Sequence, residues 1–363
     1  MLMARNGSSL SFDSLNDDVL LEICSFVQLI PDKVADPYDR CSESPMGSGM
    51  ISASKSLSLV NKHLRALVAI KMFRRLSVAG WNAFDSLDVI GDGIMVVKYA
   101  RLFKISILES QYKPPPDFFY RLAGALTRMK KLELLSLRLA ECQTKNLAEA
   151  FEKTNLSLPC VQTLVVDNFC DFIIKHCPNV RTISARRCEY HQLRPHHHVG
   201  ELCSYSVNLI IAAGQAPHLT HFEMYERWQA KLIEEVHEHM PNLKHLGMPG
   251  GCYKDRIQVI AQVLSRFKIL EELVLKDTCC PNFHCHLGQW SRLRRLPRVA
   301  ERTKQANKLA DEARDKIARL IIQACPGIKS LWIGWQDRAE FVKDETDYAS
   351  IVWEKRTRVR IGE

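Results

Sequence analysis

Cysteine and histidine are the residues of this chain best suited to chemistry, and they gather in two places. Cys279-Cys280-Pro281-Asn282-Phe283-His284-Cys285-His286 carries five side chains that can bind a metal, and His196-His197-His198 with Cys203 adds four more. A structural zinc site takes thiolates and imidazoles that arrive as spaced pairs from two separate segments, because ligands adjacent in sequence cannot easily close a tetrahedron. Neither cluster has a Cys-x-x-Cys pair or a His-x-x-x-His partner. The expectation is therefore loop residues at the edge of an insertion, with no metal and no cofactor.

Other chemistries leave no trace of their motifs. The chain has no GxSxG, no HExxH, no phosphate-cradling GxxxxGK[ST] and no GxGxxG behind a strand. Gly91-Asp92-Gly93 reads as a turn. No catalytic residue is assigned, and the chain is not expected to be an enzyme. Across Arg292 to Arg319 ten Lys/Arg stand against four Asp/Glu in a helix-forming stretch. Without interleaved aromatics for base stacking, that stretch reads as a solvated face and not as a nucleic-acid surface.

The elements that must carry any function begin with two amphipathic segments. In Ser14 to Val27, Asn16 or Ser14 can cap a helix, and Asp17 and Asp18 favour its dipole. Val19, Leu20, Ile23, Phe26 and Val27 share one face. In Leu57 to Val68, Val60, Leu64, Leu67 and Val68 repeat at helical spacing, with Lys62 and Arg65 opposite. Between them residues 31–56 hold Pro31, Pro37, Pro45, Gly47, Gly49 and several serines, the composition of a flexible insertion. Residues 1–11 are small and polar, as a disordered terminus would be.

Leu15, Asp18, Leu20, Ile23 and the run Leu59-Val60-Asn61-Lys62-His63-Leu64-Arg65 resemble an F-box, and in detail the F-box of large fungal families. Asn16 stands where that family usually has proline; either residue can start a helix. The resemblance implies a module over residues 12–76 that docks a Skp1-type adapter and, through it, a cullin. The contacts it implies are Leu15, Asn16, Val19, Leu20, Ile23, Leu59, Val60, Leu64 and Leu67.

From Leu102 onward a phrase recurs: apolar, two residues, apolar, one residue, apolar. It occurs at Leu102-Ile105-Ile107, Leu132-Leu135-Leu137, Val161-Leu164-Val166, Val180-Ile183-Ala185, Leu219-Phe222-Met224, Leu243-Leu246-Met248, Leu270-Leu273-Leu275 and Ile328-Leu331-Ile333. Four copies follow a proline (Pro178, Pro217, Pro241, Pro326) that ends a helix-like run. The residue before proline avoids the α region, so the helix stops there and the chain turns into a strand. The pattern resembles degenerate leucine-rich repeats. The Asn or Cys expected three residues after the last apolar position is met by Cys188 but not by Ala140, Phe169, Arg227, Gly251 or Gln336. An irregular arc is the expectation.

The fold class expected is α/β: a short N-terminal helical module, then a helix–strand solenoid with a parallel sheet over residues 77–337. A basic helical insertion is expected at 279–324, and a cap or tail at 338–363. Ala306, Leu309, Ala310, Ala313, Ile317, Leu320 and Ile321 give the insertion an apolar stripe for packing on the solenoid. Thirteen cysteines, an odd number placed mostly in apolar runs, point to reduced thiols and a cytoplasmic or nuclear setting. No apolar run reaches ~18 residues, the length that spans a bilayer. The function expected is a ubiquitin-ligase substrate receptor with an unknown protein target. The alternative is an interaction scaffold built on the same solenoid with no ligase connection.

Overall fold

A computed structural model of the chain describes residues 62–80, 82–107, 114–186, 203–226, 228–248, 257–275, 299–333, 337–343 and 349–355. It is α/β, with a long, mostly parallel sheet accompanied by helices. The chain forms two compact units, residues 1–105 with 114–132, and residues 106–113 with 133–363.

In the first unit α1 (Lys62–Met72) leads into β1 (Arg75–Ala79), where Val78 is buried and its neighbours Ser77 and Ala79 are exposed. Helices α2 (Asn82–Asp92), α3 (Ile94–Tyr99) and α4 (Phe118–Arg128) follow, with β2 (Leu102–Ile107), whose last two residues belong to the second unit, before α4. Gly91 and Asp92 lie inside α2, and the chain breaks only at Gly93. The turn expected over all three is shorter than the residue types suggest, because an isolated glycine is tolerated at a helix end. The core here is aromatic: Phe84 meets Phe118 edge-on at 4.9 Å, and Phe118 meets Phe119 at 5.2 Å.

The second unit repeats a helix, a turn and a strand. Its strands are β3 (Leu134–Leu139), β4 (Thr163–Asp167), β5 (Thr182–Arg186), β6 (His221–Met224), β7 (His245–Gly247), β8 (Glu272–Leu275) and β9 (Ser330–Ile333). All seven run parallel. The middle residue of each phrase pairs with the middle residue of the next, in a row Leu135, Leu164, Ile183, Phe222, Leu246, Leu273, Leu331. All seven are 0% exposed, as is the last residue of every phrase, so the recurring phrase is the sheet's core-facing side.

The helices between the strands supply the other half of that core. They are α5 (Glu141–Lys153), a 3-10 turn (Asp171–His176), α6 (Ser204–Gly214), α7 (Ala230–His239), α8 (Ile257–Leu264) and α9 (Val299–Ala324). From the 3-10 turn onward each packs on the next. Ile317, Ala318 and Ile321 of α9 are buried, so the C-terminal part of the basic insertion packs as its apolar stripe foretold. Cys170, Cys177 and Cys325 sit in the same core, and burial pushes the Cys177 thiol up to about 12.

Strand register is set at the turns. The backbone carbonyl of Glu133 accepts two N–H groups from the next unit, Gln162 and Thr163. The same fork recurs at Gln162, Arg181, Thr220, Lys244 and Glu271, each receiving two consecutive N–H groups just ahead of the following strand. At Cys177, Ala216 and Cys325 the carbonyl before the proline accepts the N–H three residues on, closing a turn with proline at its second position.

Past β9 the direction reverses. β10 (Asp337–Lys343) runs antiparallel to β9, and β11 (Ala349–Lys355) antiparallel to β10. The segment expected as a cap or tail thus forms a hairpin on the sheet.

Candidate functional site

Side chains alternate across a strand, so the residues on either side of each phrase's middle position lie on the opposite face of the sheet. On that face three consecutive strands, β6, β7 and β8, contribute Glu223, His245 and Glu272. His245 donates from Nε2 to Glu223 Oε1 at 3.0 Å, and its Nδ1 lies 3.1 Å from Glu272 Oε2. Both ring nitrogens thus lie within ion-pair reach of a carboxylate, and Nε2 alone has hydrogen-bond geometry. Burial disfavours the imidazolium, but the hydrogen bonds and charges of Glu223 and Glu272 outweigh it and push His245 up to about 9. His245 in turn holds Glu272 down at about 2, with help from Trp332, whose Nε1–H donates to Glu272 Oε1 at 2.8 Å. His221 stacks on His245 at 5.4 Å; burial and the neighbouring charge lower its own proton affinity.

Gly247 makes this arrangement possible. A β-carbon there would stand 2.5 Å from Glu223 Cγ, so the missing side chain is the space through which Glu223 lies. Replacing Gly247 with alanine is expected to displace Glu223, lower the His245 pKa and cost about 1–3 kcal/mol of stability. Histidine titration by NMR, with urea unfolding of the same variant, checks both parts.

The cluster continues toward the hairpin. The Arg338 guanidinium lies 5.5 Å from the Trp332 ring centre, donates from Nε to Ser330 Oγ at 3.0 Å, and pairs with Glu340 at 2.7 Å. Along the turns, Glu271 pairs with Lys329 at 2.9 Å and with Lys244 at 3.9 Å. This is chemistry of fixed charge. The carboxylates on either side of His245 favour its protonated form.

A second polar cluster lies beyond the strand ends. The side-chain amide of Asn168 donates to Ser206 Oγ at 3.1 Å and to Glu226 Oε1 at 3.3 Å, and the Ser206 hydroxyl donates to Glu226 at 2.9 Å. Asn168 and Ser206 are each 1% exposed. Phe169 occupies the place three residues past the phrase where the repeat pattern puts an asparagine; Asn168 stands two residues past it, an offset the repeat pattern does not cover.

Of the residues expected to contact an adapter, Leu15, Asn16, Val19, Leu20, Ile23, Leu59 and Val60 lie outside the described residues, as do the insertion 31–56 and residues 1–11. Leu64 and Leu67 are in α1, and Leu67 is 6% exposed, turned inward with Val68 and Ala69. The Cys279–His286 and His196–His198 clusters also lie outside the described residues. Among the described residues no group of three or more His, Cys, Asp or Glu side chains could hold a metal ion. No described helix is long and apolar enough to cross a membrane. No known protein-family model matches the chain, and no curated protein sequence matches it at a significant level.

Proposed function

We propose that the chain is the substrate-receptor subunit of a Skp1–cullin–F-box type ubiquitin ligase. The N-terminal module docks the adapter, and an irregular leucine-rich-repeat solenoid presents a protein target on the free face of its sheet. The observation that supports the reading is the in-register row from Leu135 to Leu331, which makes the region after the F-box-like stretch a series of stacked helix–strand units. Such units bury an apolar side only by stacking, and they expose an extended binding surface. The receptor's contribution to ubiquitin transfer is proximity, holding a target lysine near a conjugating enzyme carried by other subunits.

Adapter capture tests it. Full-length chain is expected to retain a purified Skp1-type adapter on affinity resin, and Leu20→Asp with Leu64→Asp is expected to abolish capture, because a buried aliphatic anchor cannot accept a charge. Wild-type chain that is folded by circular dichroism yet retains no adapter overturns the ligase reading and leaves the scaffold alternative.

A further inference from the structure

The helix layer has a thin place. Between β4 and β5 stands the 3-10 turn of six residues, where the neighbouring units carry α5, of 13, and α6, of 11. Six residues of the tighter 3-10 form cover about 12 Å, against about 16 Å for α6. The side of α6 toward the turn is left as an open groove of about 630 Å³, lined by these two elements and the residues that follow them.

One wall of that groove is a helical stripe. Asn208, Ile211, Ala212 and Gln215 stand at i, i+3, i+4 and i+7 on α6 and its C-cap, the spacing with which one helix packs on another. The rest of α6 is already occupied. Leu209, Ile210 and Ala213 are buried, and at Gly214 a β-carbon would stand 2.7 Å from the His239 carbonyl oxygen of α7. The stripe is apolar where a surface helix is ordinarily charged: Ile211 is 39% exposed, whereas α7 fills its exposed positions with Lys231, Glu234 and Glu238. The 3-10 turn contributes Phe172 and Ile174, apolar as well. Its two charged lining residues differ. Lys175 pairs with Glu152 of α5, while Asp171 has no partner among the described residues.

We infer that this groove docks an amphipathic helix of a partner protein, one with apolar residues at i, i+3 or i+4, and i+7 and a lysine or arginine beside them. Three observations select that occupant. The stripe on α6 has the period of a helix–helix contact. The groove borders a layer in which α6 packs on α7, α7 on α8 and α8 on α9, so a docked helix extends the same kind of packing by one member. The unanswered carboxylate of Asp171 calls for a cation on the partner. A small molecule fits less well, because a groove open along its length would leave much of it in water. The groove is on the helix side of the sheet, opposite the free face, so the inference stands independently of what that face binds.

The test is selection from a displayed library of helical peptides, each about 15 residues long, on the full-length chain, followed by fluorescence anisotropy with the best labelled peptide. Recovered sequences are expected to carry the apolar period and a basic residue. Ile211→Asp is expected to weaken the peptide about tenfold or more, because the apolar anchor would meet a charge. Asp171→Asn is expected to weaken it about threefold, and to leave unchanged the same peptide with its basic residue replaced by glutamine. Asp171 lies outside the core, so this second variant keeps the test valid if circular dichroism shows that Ile211→Asp does not fold. The inference is overturned by a selection that enriches nothing, by recovered peptides that lack the helical period, or by binding that neither variant weakens. It is overturned too if light scattering finds the chain dimeric and Ile211→Asp monomeric, which would make a second copy the occupant.

Discussion

Leu273→Ala is expected to lower unfolding stability by about 3 kcal/mol, near the middle of the range for emptying a fully buried leucine site. Leu273 is 0% exposed and lies in register between Leu246 and Leu331. Both neighbours are held by backbone pairing, so the site cannot collapse around the loss, and the cavity term stays large. Urea unfolding followed by circular dichroism reads the effect. Because stacked units are coupled mainly to their neighbours, the variant should also broaden the transition, with the part from β8 onward melting first. Thr182→Ala on the free face, half-buried and in no apolar row, is the control and should cost well under about 1 kcal/mol. An effect of equal size at the two positions would show that the row is not the core.

The second large effect is a pH dependence centred on His245. Its folded pKa of about 9 lies above the ordinary histidine value of 6.5, so the stability it contributes is fully present below about pH 6.5 and is lost as pH rises through about 9. Glu272, at about 2 against an ordinary 4.5, contributes stability present above about pH 4.5 and lost as pH falls through about 2. The clamp is therefore strongest between about pH 4.5 and 6.5. His221, whose pKa is lowered, works the other way, and its contribution fades as pH drops below its ordinary value. With Glu272 partly exposed, the clamp is worth on the order of 2 kcal/mol. His245→Gln is expected to lose that much at pH 6 and to flatten the decline between pH 6.5 and 9. A wild-type stability that is constant across that interval would show that the proton is not held.

What could be read from the sequence follows from how local the signal is. The eight phrases were legible because a strand buried on one side writes its apolar residues at fixed spacing, and the prolines marked where each helix stops. The apolar stripe of α9 was legible for the same reason. The clamp was not. Glu223, His245 and Glu272 are ordinary surface-type residues spread over three units, and only the register of three parallel strands makes them neighbours. Gly247 is equally silent, since its role is to leave room for a residue 24 positions earlier. The hairpin of β10 and β11 was half visible: Ile351-Val352-Trp353 carries a strand signature, whereas Asp337 to Lys343 is broken by charges and becomes a strand by pairing with β9.

The carbonyl forks at the turns make unit length a free variable. Successive phrases begin 30, 29, 19, 39, 24, 27 and 58 residues apart, yet from β3 to β9 the strands pair without slipping. Main-chain groups alone make the forks, so the residue supplying the carbonyl is glutamate, glutamine, arginine, threonine or lysine in different units. A sequence lengthened or shortened between one fork and the next pays nothing in alignment. Such a scaffold can acquire a long basic helix in one unit and shrink a helix to a single 3-10 turn in another, so its surface can diversify while its sheet stays in step.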